Sequence, residues 1–209
     1  MAVIVAFGDS NTWGSIPDGS GGRHPPDVRW PGALARALGP GHRVIEEGLG
    51  GRTAVLDDPY EPHRRGLDYL APCLMSHRPL DLLIVALGCN DMKARFGQGP
   101  SDIALGVERL LVAAKSLGAG PGGGAPKSML ICPPPLARLT GFADMFAGAT
   151  EKSRALAPYY RAAAERHGAL FLDAGAHVRC SDGDGIHWEA SEHLKLGAVV
   201  AAAIAPHLP

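Results

Sequence analysis

The 209-residue chain predicts an α/β domain, a three-layer α/β/α sandwich around a five-stranded parallel sheet. Three observations carry that expectation. Five short apolar runs recur along the chain. Helical or loop-rich stretches separate them. The first run, Ala2-Val-Ile-Val-Ala-Phe7, is apolar at every position rather than at alternate ones. A strand of that kind is buried on both faces, as in a parallel sheet covered by helices.

The strands are expected at 2–7, 43–47 (Arg-Val-Ile-Glu-Glu), 81–87, 127–132 and 169–172. Candidate helices fall between them. The first is near 30–38, where Pro31 is acceptable in an opening turn. The second is near 66–77. The third spans about 101–117 and sets Ile103, Val107, Leu110, Leu111 and Ala114 on one face. The fourth, 150–167, takes Thr150 as its expected N-cap and Pro158 as a kink or break. The last runs over about 190–205. Strands alternating with helices form right-handed βαβ units, and five such strands suit a flavodoxin-like sheet. All 209 residues are expected in one domain.

Gly118–Pro126 reads as a turn-rich connector. It is not a phosphate loop, because no Gly-Lys-Ser/Thr follows. Two irregular stretches, 14–29 and 133–149, are long for a compact domain and are expected to be functional. They would cover a site or meet another subunit.

The net charge of −1, with both signs scattered, gives no basic stripe for nucleic acid or a membrane surface. No apolar run approaches the ~18 residues of a membrane span. The N-terminus lacks a charged n-region and a cleavage site, so a cytoplasmic protein is expected. Cys73, Cys89, Cys132 and Cys180 show neither CxxC nor zinc spacing and are expected as reduced thiols.

Four polar clusters each follow an expected strand. They are Gly8-Asp9-Ser10, Gly48-Leu49-Gly50-Gly51-Arg52, Gly88-Cys89-Asn90-Asp91 and Asp182-Gly-Asp-Gly-Ile-His187. In a parallel sheet all four gather along one rim, where such folds place their chemistry. Ser10 is a weak nucleophile alone and needs a base. His187 would take its proton, and Asp184, three residues earlier, would hold the imidazole tautomer. The N–H groups of Ser10 and Gly51 and the Asn90 amide would bind an oxyanion. Rivals exist for several roles. Asp182 and Asp173 compete with Asp184, Gly50 with Gly51, and His193 with His187. Asn11, Trp13, Ile186 and Trp188 flank the proposed triad and are expected to bind substrate. Phe142, Met145 and Phe146 would line that pocket, pack in the core or meet another subunit.

Ser10, Gly51, Asn90 and His187 appear in the order and spacing of the SGNH, or GDSL-type, hydrolases, and the chain resembles that family over residues 8–187. Asp184 matches the acid of the family's Asp-x-x-His motif. Four segments look like the bacterial arylesterase/acyltransferase branch: Glu46-Glu-Gly-Leu-Gly-Gly-Arg-Thr53, Asp27-Val-Arg-Trp30, Pro133-Pro-Pro-Leu136 and Asp184-Gly-Ile-His187. The resemblance implies hydrolysis of small, relatively hydrophobic esters, acyl transfer to alcohols, no metal or other cofactor, and a homo-oligomer. Its partners are then a small-molecule ester with water or an alcohol, and neither nucleic acid nor a membrane.

Two positions depart from the family. Asn11 stands where its name expects Leu, and would reach the substrate or cap the next helix. Cys89 stands where Thr or Ala is common. A thiol there would only pack, or would make the enzyme sensitive to thiol reagents.

A carbohydrate acetylesterase or a thioesterase would use the same triad. A metallophosphoesterase is disfavoured because the first three clusters offer no histidine. A non-catalytic binding module leaves the Asp-x-x-His unexplained.

Overall fold

The computed structural model describes all 209 residues. Strand β1 (Val3–Gly8) lies inside the sheet with a neighbour on each side, and Ile4 to Phe7 are fully buried because both of its faces are covered. Helix α1 (Ser10–Trp13) follows it directly, then α2 (Trp30–Leu38) and β2 (Arg43–Gly48). The chain continues through α3 (Gly66–His77), β3 (Leu82–Ala86), α4 (Pro100–Ser116) and β4 (Lys127–Cys132). It ends with α5 (Ala149–Arg154), α6 (Leu156–His167), β5 (Leu170–Asp173) and α7 (Ala190–Ile204).

All four strand pairings are parallel, in the order β2-β1-β3-β4-β5. This is the flavodoxin-like order. Helices α2 and α7 pack together as one outer layer, and α3, α4 and α6 form the other. One apolar cluster of 47 buried residues runs through the sheet and both layers, so the strand ends are held by a common core. Because every strand points the same way, the segments after β1, β2 and β3 emerge on one rim.

The expected fourth helix is two helices. A proline ring clashes with the carbonyl four residues earlier. For Pro158 that carbonyl belongs to Arg154, where α5 ends, and Pro158 falls in the first turn of α6. Thr150 is not the cap, since α5 begins one residue earlier, after Gly148. Residues 133–148 carry no regular element longer than a turn. Their end is fastened to α5, where Ser153 Oγ accepts the Leu136 N–H at 2.9 Å.

Candidate active site

Ser10 opens α1, one residue beyond Asp9 and two beyond the end of β1. Asp9 Oδ1 accepts the Asn11 N–H at 3.0 Å and fixes the turn that carries the serine. Burial pushes the Asp9 carboxyl up to about 6, against the opposing hydrogen bond from Asn11.

The acid and the base arrive together on a tight turn before α7. Asp184 Oδ1 accepts two backbone N–H groups, from Ile186 at 2.8 Å and His187 at 2.9 Å. Its other oxygen, Oδ2, lies 2.5 Å from His187 Nδ1. His187 Nε2 lies 2.9 Å from Ser10 Oγ. Burial alone would raise the Asp184 carboxyl, but the bonds from the His187 side chain and the two backbone N–H groups outweigh it and hold Asp184 below its ordinary range. The chain hydroxyl–imidazole–carboxylate is therefore continuous and within proton-transfer reach.

The rivals for these roles are engaged elsewhere. Asp182 is exposed, and Asp173 Oδ1 accepts the Gly175 N–H at 3.0 Å. His193 is fully buried among His24, Trp188 and the backbone of Trp30. Burial drives its imidazole down to about 3.

The two remaining clusters face the serine. Gly50, Gly51 and Asn90 line one cavity of about 230 Å³ with Ser10 and His187. Gly51 sits at φ +76°, a left-handed conformation that a side chain would strain. Arg52, almost completely buried, fastens this loop to the sheet. It donates to the Gly8 carbonyl at 2.9 Å and to the Glu47 carbonyl, with its guanidinium 4.3 Å from the Phe7 ring centre. The Asn90 amide donates to the Arg52 carbonyl at 3.2 Å. Both oxygens of Asp91 accept the Ala54 N–H, at 2.9 and 3.1 Å, which ties the third cluster to the second. Burial pushes Asp91 up to about 7.

Gly88 opens this cluster at φ +113°, and a side chain there would begin 1.8 Å from the Tyr160 hydroxyl. That hydroxyl donates to the Leu87 carbonyl at 2.9 Å and braces the end of β3.

Of the expected substrate-binding residues, Ile186 lines the cavity and three do not. Asn11 lies buried beneath the serine, its amide on the Ile186 carbonyl at 3.2 Å. Trp13 is half-buried and carries the Arg23 guanidinium 4.8 Å from its ring centre. Trp188 turns into the core against His193. The apolar wall comes instead from Phe142, Met145 and Phe146 of the 133–149 stretch, with the Phe142 ring centre 6.2 Å from that of His187.

Sequence reasoning missed the polar wall of Ser15, Glu61 and Lys93. Lys93 is only 1% exposed, and its ammonium pairs with Asp58 at 3.1 Å and Glu61 at 2.6 Å. Its position three residues after Asn90 was the one available signal.

Cys89 is buried, and burial beside Asp9 and Asp91 raises its thiol well above the ordinary range, so it packs rather than reacts. Metal-type side chains converge at Glu47, Cys73 and His77, none of which lines the Ser10 cavity. There His77 Nε2 is already 2.8 Å from Glu47 Oε1, and the Arg52 charge interacts with both Glu47 and Cys73. No helix is long and apolar enough to cross a membrane.

This geometry allows a hydroxyl to be deprotonated by an imidazole in a cavity that Gly51 and Asn90 also line. Comparison with known proteins agrees with it. The model of the GDSL-like lipase/acylhydrolase family matches residues 6–197. The chain is 40% identical to Est24, a carbohydrate acetylesterase from Sinorhizobium meliloti, with full coverage of both chains and a TM-score of 0.95. It is 41% identical to the aryl esterase of M. smegmatis, again with full coverage of both chains and a TM-score of 0.94. A structure described as a putative arylesterase from Agrobacterium tumefaciens is 38% identical over all of both chains, with a TM-score of 0.91. No curated protein matches the sequence significantly. With its four clusters on one rim and a family match over nearly its whole length, the chain belongs to the GDSL-like lipase/acylhydrolases, the SGNH hydrolases.

Proposed function

We propose that the protein is a serine esterase that hydrolyses small carboxylic esters through an acyl-enzyme on Ser10. The observation that carries this reading is the 2.9 Å contact between Ser10 Oγ and His187 Nε2, in one cavity with Gly51 and Asn90. His187 takes the Oγ proton as Oγ bonds to the ester carbonyl carbon, and an electron pair moves onto the carbonyl oxygen. The N–H groups of Ser10 and Gly51 and the Asn90 amide are the donors for that oxyanion. Collapse of the tetrahedral intermediate breaks the bond to the alcohol oxygen, which receives the proton from His187. Asp184 stabilises the imidazolium throughout. Water then attacks the acyl carbon with His187 again as base, the acid departs and Ser10 recovers its proton.

The cavity supports small substrates. At about 230 Å³ it falls below the ~300–1,000 Å³ of sites for drug-sized ligands. Its wall of Phe142, Met145, Phe146 and Ile186 supports aryl or alkyl esters. It also supports acyl transfer, in which an alcohol replaces water in the second half, because an apolar wall disfavours water. A second reading, a carbohydrate acetylesterase, is supported by the polar wall opposite and by the likeness to Est24. A cytoplasmic location and self-association complete the proposal; the four unpaired, buried cysteines support the first.

Ser10→Ala should abolish turnover of p-nitrophenyl acetate and labelling by a fluorophosphonate. Wild-type turnover in that variant would overturn the assignment.

A further inference from the structure

The Ser10 cavity has two chemically different walls. One is the apolar group of Phe142, Met145, Phe146 and Ile186. The other carries Ser15, Glu61 and Lys93 beside Gly50 and Gly51. Glu61 is held by one oxygen only. Its Oε1 receives Lys93 Nζ at 2.6 Å and Arg95 Nη2 at 3.2 Å. Asp58, buried beneath, pairs with the same two cations at 3.1 and 3.2 Å. Two cations and a second carboxylate thus fix the Glu61 side chain in place. No hydrogen bond from the protein reaches Oε2; Arg64 Nε, buried and without a partner, borders the same face of Gly51.

That second oxygen lies against the oxyanion loop. A side chain built on Gly51 would begin 2.3 Å from Glu61 Oε2. A carboxylate oxygen therefore stands beside the Gly51 backbone, at the edge of the cavity that contains Ser10. An acceptor in that place, without a protein donor and about one-third exposed as a side chain, is free to take a donor from the substrate in exchange for water. The apolar wall suits a hydrocarbon acyl chain, which leaves the polar wall for the alcohol half of the ester.

We propose that Glu61 is a specificity-determining residue: its Oε2 accepts a hydrogen bond from a free hydroxyl on the alcohol part of the ester, directing the site to short-chain esters of polyols. The inference rests on the Ser10 esterase reading and deepens it. Lys93 and Arg95 serve the same end, since they hold Oε1 and keep Oε2 turned to the substrate.

Glycerol 1-monoacetate and propyl acetate form a matched pair, with the same carbon skeleton and acyl group, differing by two hydroxyls. Their kcat/KM values are to be measured with the wild type, Glu61→Ala and Glu61→Gln. The wild type should prefer the monoacetate. The ratio of the two should fall about tenfold or more in Glu61→Ala, the scale of one hydrogen bond to a charged group. Glu61→Gln keeps the shape, but Lys93 and Arg95 claim its one oxygen and leave a neutral NH2 donor toward the substrate hydroxyl, so its ratio should fall between. An unchanged ratio in the variants, including an equal loss on both substrates, would overturn the role of Glu61. So would a wild type without preference. Should the alanine variant fail to fold, the glutamine variant decides alone. Failure of the underlying reading looks different: wild-type turnover of these esters would then survive Ser10→Ala or be absent altogether.

Discussion

The side-chain amide of Asn11 donates a hydrogen bond to the backbone carbonyl of Ile186 at 3.2 Å, across 175 positions of sequence. Asn11 follows the nucleophile position and Ile186 precedes His187. One bond thus joins the helix that carries Ser10 to the turn that carries its base. The arrangement explains why Asn11 does not reach the cavity, and it sets a measurable cost.

Asn11→Ala leaves the Ile186 carbonyl without this donor. Denaturant unfolding should show a loss of about 1–3 kcal/mol, the cost of a buried polar group left unpaired. Asn11→Leu should cost less than Asn11→Ala. It refills the volume, whereas both substitutions equally remove Asn11 Oδ1, which is buried without a hydrogen-bond partner. Equal losses in the two variants would contradict this account.

The contrast between Asn11 and Ser10 shows what could be read from the sequence. The inner strands were legible because burial on both faces demands unbroken apolar runs, as Ile4–Phe7 has. Ser10, Gly51 and Asn90 were legible because each follows a strand, and parallel strands bring such positions to one rim. Side-chain direction was not legible. Ile186 and Trp188 flank His187 equally in sequence, yet Ile186 lines the cavity and Trp188 packs on His193. Glu61 and Lys93 were hidden for another reason. They meet across 32 positions through an ion pair from an irregular segment, and no local period announces such a contact.

Asn90 tests the oxyanion geometry. Its amide makes one bond to the Arg52 carbonyl at 3.2 Å, which orients the group toward the cavity it shares with Ser10. Asn90→Ala should lower kcat by about 10²–10³, the usual effect of deleting one oxyanion donor. KM should change far less, because the donor acts on charge that develops only in the transition state. Steady-state kinetics on p-nitrophenyl acetate would check this. A rise in KM with kcat intact would assign Asn90 to ground-state binding instead.

Cys89 stands between Gly88 and Asn90, but its thiol is 5% exposed and raised well above the ordinary range by burial and by the nearby Asp9 and Asp91. The thiolate is the reactive form, so the folded enzyme should keep its activity through treatment with iodoacetamide at neutral pH. Mass spectrometry should find Cys89 unmodified until the protein is unfolded. Rapid inactivation with a label on Cys89 would show that the cluster opens in solution.

The pH dependence of stability should carry the mark of Asp91. Burial raises its carboxyl from 3.8 to about 7, and that of Asp9 from 3.8 to about 6. A folded-state value above the unfolded one means that the native protein holds the proton more tightly. Stability from these groups is therefore complete below 3.8 and is lost as pH rises through the folded values. Asp184 has the opposite sign. Its carboxyl is depressed, so its contribution is present above 3.8 and lost as the solution becomes more acidic. Between about pH 6 and pH 7 Asp9 is passing beyond its folded midpoint while Asp91 still holds most of its proton. His193, held down to about 3 by burial, adds a slope of opposite sign near its ordinary value of 6.5, so the difference between the wild type and an Asp91 variant isolates Asp91. Asp91→Asn cannot ionise and keeps an acceptor for the Ala54 N–H. In urea unfolding series at stepped pH, the wild type should lose stability relative to the variant over that interval. Parallel curves for the two proteins would show that Asp91 does not titrate there.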